Sequence, residues 1–200
     1  MKFLLKLASA IDALTERIGK AAIWLVLVVV LISAGNALMR YTINYSSNAL
    51  LEIQWYLFGA IFFSCAGYAL LHNAHVRIDL IAGRFSRRTQ TWIDIFGLVF
   101  FLLPMAIVVL VLSWPVFMQA YMTGEMSNSA GGLIVWPARL LVPAGFFLLI
   151  LQAISELIKR AGFLKGLCPD PIDLDKPSAE EELVAAIKAR KDEAQEGGVR

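Results

Sequence analysis

The stretch that decides the fold is Ala21–Met39, AAIWLVLVVVLISAGNALM, nineteen residues without one charge. A bilayer core of about 30 Å takes roughly 20 apolar helical residues, so this segment reads as a membrane-crossing helix. Working outward, three more stretches have the same character: about 50–71, 93–114 and 135–158. In lipid the backbone N–H and C=O groups find no partner outside the segment, so the spans are helical. The fold class is therefore an all-α integral membrane protein with four transmembrane helices. The composition agrees: of 200 residues 58% are hydrophobic and only 17% charged, too apolar for an ordinary soluble domain.

Three regions follow. Residues 1–20 carry Phe3, Leu7, Ile11, Leu14 and Ile18 at spacings of four, four, three and four, the mark of an amphipathic helix lying along the membrane surface. Lys6, Asp12, Glu16 and Arg17 interrupt any signal-peptide core there. Residues 21–160 form the four-helix membrane domain. Residues 161–200 are a polar tail, with a Pro-rich linker (CPDPIDLDKP) and nine of the sixteen acids from Cys168 onward. The connections differ. Tyr41–Ala49 is a short polar turn, His72–Thr91 a basic segment, and Thr123–Gly132 (TGEMSNSAGG) a flexible loop.

An even number of spans puts both termini on one side. Lys2, Lys6, Arg17 and Lys20 share a face with Arg77, Arg84, Arg87, Arg88, Lys159, Arg160 and Lys165, while only Arg40 and Arg139 occupy the other. The positive-inside rule makes the crowded face cytoplasmic. The five tryptophans, Trp24, Trp55, Trp92, Trp114 and Trp136, fall near span ends, where indole rings favour the headgroup level. Pro137 begins a helix; Pro104 lies inside the third span and predicts a kink.

No catalytic, cofactor or metal site is expected. The deep middle of each span is free of charge, whereas a proton relay or ion path needs buried carboxylates. There is no phosphate loop, no nucleophile–base set and no basic stripe for nucleic acid. Cys65 and Cys168 imply neither disulfide nor zinc. Glu52 stands near the start of the second helix, where the dipole favours an anion, and Arg40 on the same side is its expected partner. Ala60, Ser64 and Gly67, at i, i+4 and i+7 with Gly59 beside them, form a stripe of small residues that lets a helix approach closely, within the chain or from a partner. His72 and His75 share one helix end, whereas paired haem histidines come from facing helices.

The combination of features resembles the small membrane subunit of tripartite ATP-independent periplasmic (TRAP) transporters. The residues that carry it are Arg40-Tyr41, Glu52 followed by Trp55, and His75-Val76-Arg77-Ile78-Asp79-Leu80. Gly131-Gly132-Leu133, Trp136-Pro137-Ala138-Arg139 and Pro143-Ala144-Gly145-Phe146 extend it, so that it covers about residues 10 to 160. Members often carry two adjacent acids before the tryptophan, and here Glu52 stands alone. The resemblance implies a non-enzymatic scaffold in a bacterial inner membrane. Its partners would be membrane lipids, a large permease subunit driven by sodium, and a periplasmic protein that delivers an organic acid or related solute. Two alternatives belong to other classes: a haem-binding redox subunit using His72 and His75, and a stand-alone channel.

Overall fold

The computed structural model describes residues 2–45, 47–72 and 86–167, with the side chain of Lys2 excepted. It is all-helical: α1 (Lys2–Ile43), α2 (Asn48–Leu71), α3 (Arg87–Thr123) and α4 (Trp136–Leu164). All four are long and apolar enough to cross a membrane. The chain is a multi-pass membrane protein.

The helix ends follow local chemistry. Asn44, at φ 52°, ends α1 in the left-handed region that asparagine tolerates. Ser86 caps α3 by accepting from the Thr89 N–H, and Gly124, at φ 60°, terminates it. Pro137 occupies the first turn of α4, where its missing N–H costs nothing.

Two elements differ from the sequence-based expectation. The amphipathic segment and the first span are one uninterrupted helix of 42 residues, about 63 Å at 1.5 Å per residue. That is twice the hydrocarbon thickness. The buried side of α1 explains the continuity: Ala8, Thr15, Ala22, Val29 and Asn36 recur every seven residues and form one seam from end to end. The apolar stripe of Phe3, Leu7 and Leu14 is turned away from the bundle, with Phe3 77% exposed. In α3, the helix continues past Trp114 and Pro115 to Thr123. Instead of a simple kink, Leu98–Leu102 ahead of Pro104 is π-helical. The Leu103 N–H reaches back five residues to the Leu98 carbonyl, and the widened turn makes room for a ring that would crowd the carbonyl four residues earlier.

α4 lies at the centre. It packs against α1, α2 and α3, while α3 leans chiefly on α4. The core joins Leu70 of α2, Leu98 and Ala106 of α3, and Leu149 and Ala153 of α4. Close approach depends on small residues: a Cβ on Gly145 would lie 2.5 Å from the Phe63 Cβ, and one on Gly19 would run into the Tyr68 ring. α1 runs antiparallel to α2 and α4, since Glu16 meets His72 and Thr15 meets Gln152. One end of the bundle therefore gathers the start of α1 and the ends of α2 and α4. The other holds the 124–135 connection. These are called here the basic end and the hairpin end.

Candidate functional site

Polar chemistry is concentrated at the two ends. At the hairpin end, the connection is an ordered hairpin. The Ser127 N–H donates to the Leu133 carbonyl at 2.9 Å and the Val135 N–H to the Glu125 carbonyl at 2.9 Å, around a bridge between Met126 and Ile134. Gly131, at φ 69°, turns the chain. Glu52 is the anchor: its carboxylate accepts from the Ser127 hydroxyl and, at 2.7 Å, from the Leu133 N–H. Asn48 donates to the Ala130 carbonyl at 3.0 Å and the Tyr56 hydroxyl to the Ile134 carbonyl at 3.2 Å. One face of the first three turns of α2 thus holds the hairpin. Gly132 is required there, because a Cβ would sit 2.7 Å from Ser127 Cβ and 2.9 Å from a Glu52 oxygen.

Two expectations change here. Glu52 does not pair with Arg40. Its oxygens are used by Ser127 and Leu133, because the hairpin folds back onto α2. Nor is Thr123–Gly132 a free loop, since Asn48 and Glu52 of α2 hold it at Ala130 and Ser127. Arg139 finds Glu125, with both terminal guanidinium nitrogens at 2.6 Å from its two oxygens. Glu125 carries no sequence signal beyond its place in a polar loop.

The basic end holds a network that the sequence-based expectation omits. Asp12 accepts from Ser155 at 2.7 Å and from Gln152 at 2.9 Å, and pairs with Lys159 at 3.1 Å. Thr15 donates to Gln152 at 2.8 Å. Glu156 is joined to both Lys159 and Arg160, and Arg160 reaches Asp94 of α3 at 3.4 Å. Glu156 is 1% and Arg160 3% exposed. Beside this network, Glu16 binds His72 at 2.8 Å and Lys20 at 3.0 Å. The signal was present: Gln152, Ser155, Glu156, Lys159 and Arg160 stand at i, i+3, i+4, i+7 and i+8, one polar stripe on α4. Asp12, Thr15 and Glu16 repeat the spacing on α1. The network ties α1, α3 and α4 together, satisfying buried charges that would otherwise be costly.

The remaining motif residues are placed as follows. Gly67 is buried between α1 and α4, where a Cβ would meet Thr15 at 3.5 Å and Gln152 at 3.8 Å. Ala60 and Ser64 are half-buried, and Trp55 is exposed. At its Gly67 end the small-residue stripe therefore packs within the chain. Arg40 is exposed at the end of α1. His75, Arg77 and Asp79 lie outside the described residues, as does the tail from Cys168. Among the described residues no group of three or more His, Cys, Asp or Glu side chains is arranged to hold a metal ion.

Such an arrangement clamps helices at both ends and leaves an uncharged middle. It has the chemistry of a rigid membrane element. No curated protein and no solved structure matches the chain. The family model of the tripartite ATP-independent periplasmic transporters, DctQ component, matches residues 25–162. That family is a transporter component and not an enzyme, which sets aside the redox-subunit and stand-alone channel alternatives. With four membrane-crossing helices and more than two thirds of its length inside that match, the chain belongs to the DctQ family, as a small membrane subunit of a TRAP-type transporter.

Proposed function

We propose that this subunit is a static brace in a bacterial inner membrane, with both termini cytoplasmic. It enlarges and steadies a large permease subunit, which moves an organic acid or related solute with sodium after a periplasmic protein has delivered it. The observation that carries this proposal is the uncharged middle of the bundle. Residues 21–39, 53–71, 95–123 and 140–155 contain no Asp, Glu, Lys, Arg or His. A chain built this way offers no ionisable relay for coupling, and its energy is invested in fixing helices. In this reading the basic end is cytoplasmic, in line with the bias of Lys and Arg. The Glu52-anchored hairpin faces the periplasm and helps to receive the delivery protein.

The test is co-expression with the large subunit, purification in mild detergent and native mass determination. A stable equimolar complex is the expected result. A subunit that purifies alone, folded and monomeric while the large subunit is present in the same membranes, refutes the brace. In the same complex, removal of Gly124–Gly131 should lower solute uptake with assembly intact; unchanged uptake refutes the hairpin's role in delivery.

A further inference from the structure

Among the described residues, the half of α1 at the basic end is covered on two adjacent sides, and the half toward the hairpin end on one. Asp12 and Gly19 stand seven residues apart, flanking the buried seam. Asp12 is held by Ser155, Gln152 and Lys159 of α4, and Gly19 is buried against Tyr68 of α2. The same flank continues, in steps of seven, through Val26, Ser33 and Arg40. All three are exposed. A packing surface thus begins at the basic end inside the chain and runs on toward the hairpin end with none of the described residues upon it.

The character of that surface argues against lipid as its neighbour. Around Ser33 the sequence changes from a Val/Leu/Ile run to Ser33-Ala34-Gly35-Asn36-Ala37, five small or polar residues within the span. Ser33, Ala34 and Ala37 are exposed, and a Cβ on Gly35 would meet nothing within 4 Å. Small residues allow backbones to approach closely and do little for contact with acyl chains. The Asn36 side chain, 8% exposed, has a buried oxygen with no hydrogen-bond partner among the described residues, an orphan acceptor beside the uncovered flank. Arg40, one turn on, forms no ion pair among the described residues. Since Glu52 is committed to the hairpin, the described residues supply Arg40 with no carboxylate.

We infer that the flank Val26–Ser33–Arg40, with Ala37 beside it, is the surface on which the large subunit docks. The partner would present a membrane helix with small residues level with Ser33 and a carboxylate or free carbonyl level with Arg40. Three properties select this occupant: the heptad continuity with a helix-packing seam, the depth of the small residues, and the unmatched positive charge. The inference rests on the proposal that the chain braces a large subunit, and adds the face through which it does so.

The experiment places a benzoylphenylalanine photo-crosslinker at Ser33, Ala37 or, as controls, at Phe62 of α2 and Leu112 of α3, which are 70% and 67% exposed. The full chain is co-expressed with the large subunit and irradiated in membranes. Adducts to the large subunit from Ser33 and Ala37, and little from the controls, are expected. Adducts only from Phe62 or Leu112 overturn the assigned face and leave the brace intact. No adduct to the large subunit from any position, together with no co-purification, overturns both. Lipid adducts alone from Ser33 and Ala37, or a dimer of the 22.1 kDa chain, overturn the partner. In parallel, Arg40→Glu should lower recovery of the large subunit by about tenfold or more, as expected when one side of a buried charge contact is lost. Arg40→Lys should retain most of it, and equal recovery for Arg40→Glu and the unaltered chain counts against the charge contact.

Discussion

Glu125 and Glu156 are both acids paired with an arginine, and burial separates what they contribute. The Glu125 side chain is 40% exposed and Arg139 30%, so water competes for both and an exposed pair of this kind contributes at most about 1 kcal/mol. Glu156 and Arg160 are almost fully enclosed, and Lys159 also depends on Glu156. Removing Glu156 leaves Lys159 with Asp12 and Arg160 with Asp94 but takes away the one enclosed carboxylate they share, and breaking a buried pair costs about 3–5 kcal/mol. Glu156→Ala should therefore lower the thermal unfolding midpoint in detergent far more than Glu125→Ala, followed through the intrinsic fluorescence of the five tryptophans. Equal shifts would show that the basic-end network is wet in solution. At this scale the sequence was only partly legible. Glu52 stood out because it is a lone acid near the start of an apolar helix. Glu156 was harder to place, because an acid eight residues from a helix end resembles an interfacial charge until its partners on α1 and α3 are known. Asp12 and Asp94 lie far from it in sequence, and nothing local encodes which helix faces meet.

Among the elements, the spans were legible because lipid forces a simple rule: a long apolar run becomes a helix. What periodicity missed was continuity. The 1–20 segment has both an apolar stripe and a small-and-polar seam, and its apolar stripe drew attention to the membrane surface. The seam of Ala8 and Thr15 instead fixes the segment to α4 and keeps it coaxial with the span. Pro104 was correctly a disturbance, yet its form was not predictable, since a kink and a π-turn are alternative answers to one missing N–H. The π-turn can be tested as a one-residue insertion in an α-helix. Deleting Phe100, 63% exposed, together with Pro104→Ala should restore a plain helix and preserve the facing of Asp94 toward Arg160. Deleting Val111, exposed in regular α-helix, should rotate everything before it by about 100° relative to the rest and break that contact. The expected order of thermal stability is unaltered chain, then the Phe100 deletion with Pro104→Ala, then the Val111 deletion. If both deletions are equally damaging, the wide turn has a role beyond accommodating the proline.

For the molecule as a whole, the two ends differ in kind, and the difference bears on orientation. The basic end is rich in Lys and Arg and its buried acids are internally matched; the hairpin end relies on backbone groups anchored by one carboxylate and carries few cations. Translocating the hairpin end moves Arg40 and Arg139 across the membrane, and Arg139 is already neutralised by Glu125. Translocating the other end would move eleven basic residues near the spans and five more in the tail, which the insertion machinery resists. A cysteine at Ser129, exposed at the hairpin tip, reports on this directly. In a Cys168→Ser background, Ser129→Cys should react with a membrane-impermeant maleimide in intact cells. Cys168, in the otherwise unaltered chain, should react only after the membrane is opened. The half-buried Cys65 lies within α2 and serves as the unreactive reference. The reverse pattern would invert the bundle. It would place the Glu52-anchored hairpin in the cytoplasm, out of reach of any periplasmic protein, so the delivery role would fall even if the brace survived.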